Sequence, residues 1–279
     1  MTVLITLLGR ELWRLRPHLP HPELPRSSLD EDLSFACCEA IRRGFQDTVH
    51  KLLSSGFVSA DCDEGPGLFT EDDDGGSALV VASNNNRLEI VRMLLEWPVN
   101  APRADCKNGK ALVYAASNGH ANIIRLLLEW PVNAPRADCR DGKALVEAAR
   151  NGHLDVVRLL LEWPVNAPRA DCRDGKALVE AAKECNVDIV RLLLEWPLNA
   201  PRADCQDGLA LVMAARNGHL DVVRLLQNMP LEQTVEMATH CLGKDMKAEY
   251  EIPSLLSSLW AEQNHSSSLS FMHRADFFK

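Results

Sequence analysis

Aromatic residues are scarce in this 279-residue chain: Phe, Trp and Tyr together make up 5% of it, and only two are tyrosine. There is no Cys-x-x-Cys pair, and the nine cysteines are an odd number. The sequence therefore spells out neither a zinc site nor a complete disulfide framework. No apolar run approaches the ~20 residues of a membrane-spanning helix. The glycine loop that cradles phosphate and the strained Gly-x-Ser-x-Gly elbow are both missing. A basic excess is missing as well. The formal charge is −9, and residues 76–230 are almost balanced, with 19 Lys/Arg against 18 Asp/Glu. A nucleic-acid groove needs net positive charge to displace counterions, so that class of partner is not expected.

What the chain does have is a period. Gly76, Gly109, Gly142, Gly175 and Gly208 are 33 residues apart each time, and Trp97, Trp130, Trp163 and Trp196 keep the same step. A fixed period of this length predicts a solenoid, in which each unit buries its apolar face only against its neighbours. A single unit is too short to fold alone, since chains below ~40 residues rarely bury enough surface without a metal or disulfides.

The segment 144–176, ALVEAARNGHLDVVRLLLEWPVNAPRADCRDGK, is one such unit. ALVEAAR predicts a first helix, ended by Asn151-Gly152, a pair suited to the left-handed backbone at a helix C-terminus. LDVVRLLLEW predicts a second helix with Leu154, Val157, Leu160 and Leu161 on one face, Asp155 near its positive end and Pro164 as its stop. The remainder carries two prolines, an Asn and an Asp-Gly, and so predicts an extended, turn-rich connection. Asp141 is the expected N-cap of the first helix, starting it about two residues early.

These residues resemble the ankyrin repeat. The resemblance rests on the 33-residue step, the Ala-Leu-x-x-Ala-Ala core, Asn-Gly-His at 118–120, 151–153 and 217–219, and the Val-Val-Arg-Leu-Leu stretch of the second helix, over roughly residues 33–230. It implies an all-α solenoid of stacked helix-turn-helix units with long connecting loops, about six units in all. Two departures stand out. Lys143-Ala144-Leu145-Val146 replaces the family's Thr-Pro-Leu-His, removing the hydroxyl and imidazole that usually tie neighbours, and Trp163-Pro164-Val165 replaces Gly-Ala-Asp.

Each residue repeated every 33 positions forms a column with rungs ~10 Å apart, the usual distance between packed helices. Zinc and disulfide geometry both need sulfurs much closer than that. Cys106, Cys139, Cys172 and Cys205 are accordingly read as reduced thiols, with no metal site. His120, His153 and His219 are read as structural turn residues, because a repeat yields parallel rows where catalysis needs convergence. No catalytic residue and no cofactor are assigned, and the chain is read as a non-enzyme. The Trp column fits two roles, packing over the loop or ligand contact. The alternating loop charges likewise fit a solvated, self-neutralised surface or a partner site.

The family resemblance implies protein partners held by loop tips and the exposed side of the first helices, with no nucleic acid, membrane or small-molecule substrate, on a monomer. The matching positions are Arg103, Arg136, Arg169 and Arg202; Lys107, Arg140 and Arg173; Tyr114, Glu147, Glu180 and Met213; and Asn118, Arg150, Asn151, Lys183 and Arg216. The implied role is an intracellular scaffold or adaptor, cytoplasmic or nuclear, with mitochondrial import left open.

Outside the array, residues 1–29 read as a short amphipathic helix and a proline-rich linker, PHLPHPELP, expected to stay extended. Leu8 to Trp13 faintly resemble the start of an F-box, which gives an alternative function: a substrate-selecting ubiquitin-ligase adaptor recruiting through residues 1–16. The array is expected over 30–230, a polar helical cap over 231–260 and a mobile tail over 261–279. The acidic loop 61–74 is longer than its counterparts by nine residues. Gly65 and Pro66 occupy places where a calcium loop needs a ligand and a turn glycine, so no calcium site is assigned.

Overall fold

A computed structural model describes residues 29–56, 58–61, 77–202 and 205–227. The readings for residues 1–28, for most of the acidic loop, and for the cap and tail beyond residue 227 lie outside the described residues. Among the described residues six helix pairs follow in chain order: α1 Leu29–Arg43 and α2 Gln46–Ser54; α3 Ala78–Asn84 and α4 Leu88–Leu95; α5 Cys106–Ser117 and α6 Ala121–Leu128; α7 Cys139–Arg150 and α8 Leu154–Leu161; α9 Cys172–Lys183 and α10 Val187–Leu194; α11 Cys205–Arg216 and α12 Leu220–Gln227. The first helices stack on one another in one row and the second helices in another. The fold is an all-α solenoid.

The core is a strip between the rows. In the fourth unit Ala144, Leu145, Val146, Ala148 and Ala149 of α7 are buried, with Val156, Val157, Leu160 and Leu161 of α8. The alanines let the first helices approach closely, while the branched residues of the second helix fill the space between rows. Leu154, expected on the buried face, lies half-exposed at its edge and Val156 takes the deeper position.

The turn within each pair needs one residue with positive φ, and the sequence meets that need in several ways. Gly119, Gly152 and Gly218 supply it at φ 75°, 79° and 73°, while Asn86 and Cys185 adopt φ 56° and 60° in their units. The following residue ties the turn to the unit before it. His120 Nε2 donates to Asn84 O (3.2 Å), His153 Nε2 to Ser117 O (3.0 Å) and His219 Nε2 to Lys183 O (2.9 Å). A carbonyl can only accept, so these bonds require the tautomer protonated at Nε2. Asn186 makes the same reach to Ala149 O and Arg150 O. Arg87 makes it to Arg42 O, across 45 residues instead of 36, the difference being the nine-residue insertion. A tie between neighbouring units is thus made at the end of the first helix, away from Lys143-Ala144-Leu145-Val146.

The start of the first helix corrects one expectation. Asp141 does not cap it: Arg140, Asp141 and Gly142 form three successive left-handed residues (φ 53°, 55° and 69°), and the right-handed helix begins after them. Lys107-Asn108-Gly109 and Arg173-Asp174-Gly175 repeat this corner. A capping residue needs extended backbone, which a left-handed Asp cannot provide. The corner is closed by a hydrogen bond from Gly142 N to Asp138 O, 3.0 Å.

Candidate functional site

The edge where each second helix hands over to the next first helix carries most of the chemistry left exposed. In the loop after α8, Pro168 and Ala170 are buried while Arg169 between them projects outward. Burial on alternate residues is the signature of extended backbone lying on a surface. Arg169 Nε and Nη2 donate to the two carboxylate oxygens of Asp171 at 2.8 and 2.9 Å, and Arg103–Asp105 and Arg136–Asp138 repeat this fork. The guanidinium bond holds each of these Asp carboxyls below the usual range, so the fork stays ionised on both sides. Solvent screening leaves exposed pairs of this kind with little effect on stability. Their main effect is to fix where an exposed guanidinium points. Arg202 is exposed in the same row.

The corner residues do something else. Arg140 Nη2 donates to Lys107 O (2.8 Å) and Arg173 Nη2 to Arg140 O (2.7 Å), while Gln206 Nε2 donates to Arg173 O (3.1 Å). These side chains staple each corner to the one before. Asn151 Nδ2 to Ser117 O (2.7 Å) and Asn217 Nδ2 to Lys183 O (2.9 Å) form a similar row, and Asn118 joins it through Asn84 Oδ1. Of the residues matched to a partner surface, Arg140, Arg173, Asn118 and Asn151 are therefore engaged along the stack, while Lys107 supplies a carbonyl to it.

On the first helices, Glu147 and Glu180 lie with Arg150. Arg150 bridges units, meeting Glu180 Oε2 at 3.0 Å and Glu147 Oε2 at 3.2 Å, and Lys176 reaches Glu180 Oε1 at 3.0 Å. Lys183 lies 3.9 Å from Glu180 and 3.2 Å from Glu184. Glu180 is only 4% exposed. Burial alone would raise its pKa, but the hydrogen bonds from Arg150 and Lys176 outweigh that and bring it down to about 2. Tyr114 and Met213, at the same column, are half-buried, and Arg216 is exposed.

The low pKa has a measurable consequence. The folded chain releases the Glu180 proton more readily than the unfolded chain, whose carboxyl titrates near 4.5. This stabilisation is complete above pH ~4.5 and is lost as pH falls towards 2. Glu180→Gln should cost about 1–3 kcal/mol at neutral pH, because Arg150 and Lys176 lose the carboxylate charge they share and one of its two accepting oxygens. Thermal melts of the two proteins from pH 7 to 2 should converge at the acid end; parallel curves would show that this carboxylate carries no pH-linked stability.

The cysteines sit against glycines. Cys139 Sγ lies over Gly109, with its thiol 4.0 Å from the carbonyl oxygen, and Cys205 is placed likewise over Gly175. Burial pushes the Cys139 and Cys172 thiols up to about 11, so they are inert packing groups. Among the described residues no cluster of His, Cys, Asp and Glu has the arrangement of a metal site, and no helix is long and apolar enough to cross a membrane.

The Trp column divides its roles with its neighbours. Trp97, Trp130, Trp163 and Trp196 are half-buried against the core, and Trp97 meets the ring of His50 edge-on at 5.4 Å. The residues that protrude are the aliphatic ones two places on: Val99, Val132, Val165 and Leu198 are 64, 61, 62 and 70% exposed. This row was not singled out from sequence. Its signal was present, since each member stands between two prolines in a segment unable to form a helix that would carry it inward.

Residues 99–169 and 145–236 match a family model described as ankyrin repeats. Among solved structures, the ankyrin repeat domain of human ASB11 is similar, at 24% identity and a TM-score of 0.52, over 69% of this chain and 82% of that one. No curated protein matches in sequence.

Proposed function

Since the chain is an ankyrin repeat protein, and such arrays are protein-interaction modules, we propose that it is an intracellular scaffold or adaptor that holds a protein partner along its loop edge. The observation that carries this reading is the composite row in the loops: an exposed aliphatic side chain four residues before an outward guanidinium, repeated from Val99 and Arg103 to Leu198 and Arg202. Contiguous apolar surface rimmed by polar groups marks protein contact sites, and arginine is enriched there. Fixing the guanidinium beforehand lowers the entropy cost of binding. The helix-one residues Tyr114, Glu147, Met213 and Arg216 form the second candidate stripe, less exposed than the loops.

The test compares proteins captured from cell lysate by the intact chain and by a variant with Arg103, Arg136, Arg169 and Arg202 changed to Gln. The expected result is a partner reduced at least tenfold by the variant, with circular dichroism and melting temperature unchanged. Identical partners on both would make the loops solvated spacers and remove this reading.

A further inference from the structure

The exposed aliphatic row has a matching segment in the same chain. Val99, Val132 and Val165 project at ~10 Å intervals along the stack. In an extended polyproline helix the same side recurs every third residue, at about 9 Å. The sequence 17–25, PHLPHPELP, places Leu19, Pro22 and Pro25 at that interval. Such segments dock on grooves lined by aromatic side chains, and here each rung is preceded by an exposed proline and a half-buried tryptophan.

Length and charge agree with this placement. In the described connections the loop edge joins the end of a second helix to the start of a first helix, so Leu29, at the N-terminus of α1, opens onto the same edge. The four residues from Pro25 to Leu29 extend to about 14 Å at most, longer than the ~10 Å step of one unit along the stack. The segment is flanked by Arg16 and Arg26 and holds one acidic residue, Glu23, leaving residues 16–26 with a net positive charge. Glu96, Glu129, Glu162 and Glu195 form an exposed acidic row beside the tryptophans. The loop arginines Arg103, Arg136 and Arg169 are already matched by their own aspartates, and Arg92, Arg125, Arg158 and Arg191 stand a turn further back on the second helices.

We infer that residues 17–25 lie along the aliphatic row of their own chain, with Pro25 over Val99, Pro22 over Val132 and Leu19 over Val165. The inference uses the loop edge assigned above to a partner but requires no partner, so the lysate experiment and the one below can fail independently.

The test is a full-length chain with the photoreactive benzoylphenylalanine at position 21, irradiated at micromolar concentration and mapped by mass spectrometry. The expected adducts have the mass of one chain and join position 21 to peptides containing residues 97–99, 130–132 or 163–165. Val99→Ser/Val132→Ser/Val165→Ser should lower their yield at least fivefold, as should Leu19→Asp/Pro22→Asp/Pro25→Asp. The three valines are exposed, so their replacement leaves the array folded. As an independent readout, acrylamide quenching of the Trp column, in a Trp13→Phe/Trp260→Phe background, should rise about twofold in the Asp variant. Adducts elsewhere, no adducts, a yield unaffected by the serine changes, or adducts only between two chains would each overturn the inference; the last would assign the row to a second copy.

Discussion

Leu145→Ala should lower the stability of the array by about 3–5 kcal/mol, the upper part of the range for buried leucines. Leu145 is wholly buried on α7, which packs between α5 and α9. The vacancy would therefore border two inter-unit contacts at once. It cannot readily collapse, because hydrogen bonds from Arg140 and His153 on one side and Arg173 on the other hold the neighbouring units at their spacing. In a linear array stability is a sum of unit and interface contributions, so a weakened centre also weakens the coupling between the two halves. Urea titrations followed by circular dichroism should show an earlier and broader transition, or two in place of one. Val165→Ala, removing part of an exposed side chain of the same unit, should stay within about 0.5 kcal/mol. A loss below about 1 kcal/mol for Leu145→Ala would mean that the strip between the rows is loosely packed.

Gly142→Ala should cost about 2–4 kcal/mol for two separable reasons. The residue has φ +69°, a conformation costing an L-residue about 1–2 kcal/mol, and an added Cβ would lie 2.6 Å from Cys172 Sγ. Gly56→Ala isolates the first cost, since Gly56 has φ +73° and nothing within 4 Å of the added atom. A cycle with Cys172→Ala isolates the second: removing the sulfur should return about 1–2 kcal/mol of the loss at Gly142. Strict additivity in that cycle would show that the sulfur does not oppose the new methyl group, and that the Gly and Cys columns are not a fitted pair.

The repeat, the helix pair and the positions of the turns were legible because they depend on local spacing. Leu160 and Leu161 recur at helical intervals, and Asn151-Gly152 marks a helix end whatever surrounds it. What was not legible depends on facing. Arg140 and Arg136 are alike in a one-dimensional reading, yet one is spent on the backbone of the preceding unit and the other is held outward by Asp138. Cap preference alone pointed to Asp141, but the left-handed corner around it is stabilised by Arg140 and Arg173 reaching across 33 residues. Similarly, the tryptophans drew attention by size, whereas the protruding groups are the valines beside them.

The staples between corners have a consequence for how such a chain can lengthen. Arg140 addresses the carbonyl of Lys107, Arg173 that of Arg140, and Gln206 that of Arg173. The acceptor is the main chain each time, so acceptance does not depend on which side chain the accepting residue carries: a lysine and two arginines serve equally. A copied unit inserted anywhere in the series would meet the acceptor it needs and offer the same acceptor to its successor. Gene duplication could then add or delete 33 residues without a compensating change at either junction, and the length of the array is set free from the identity of its parts.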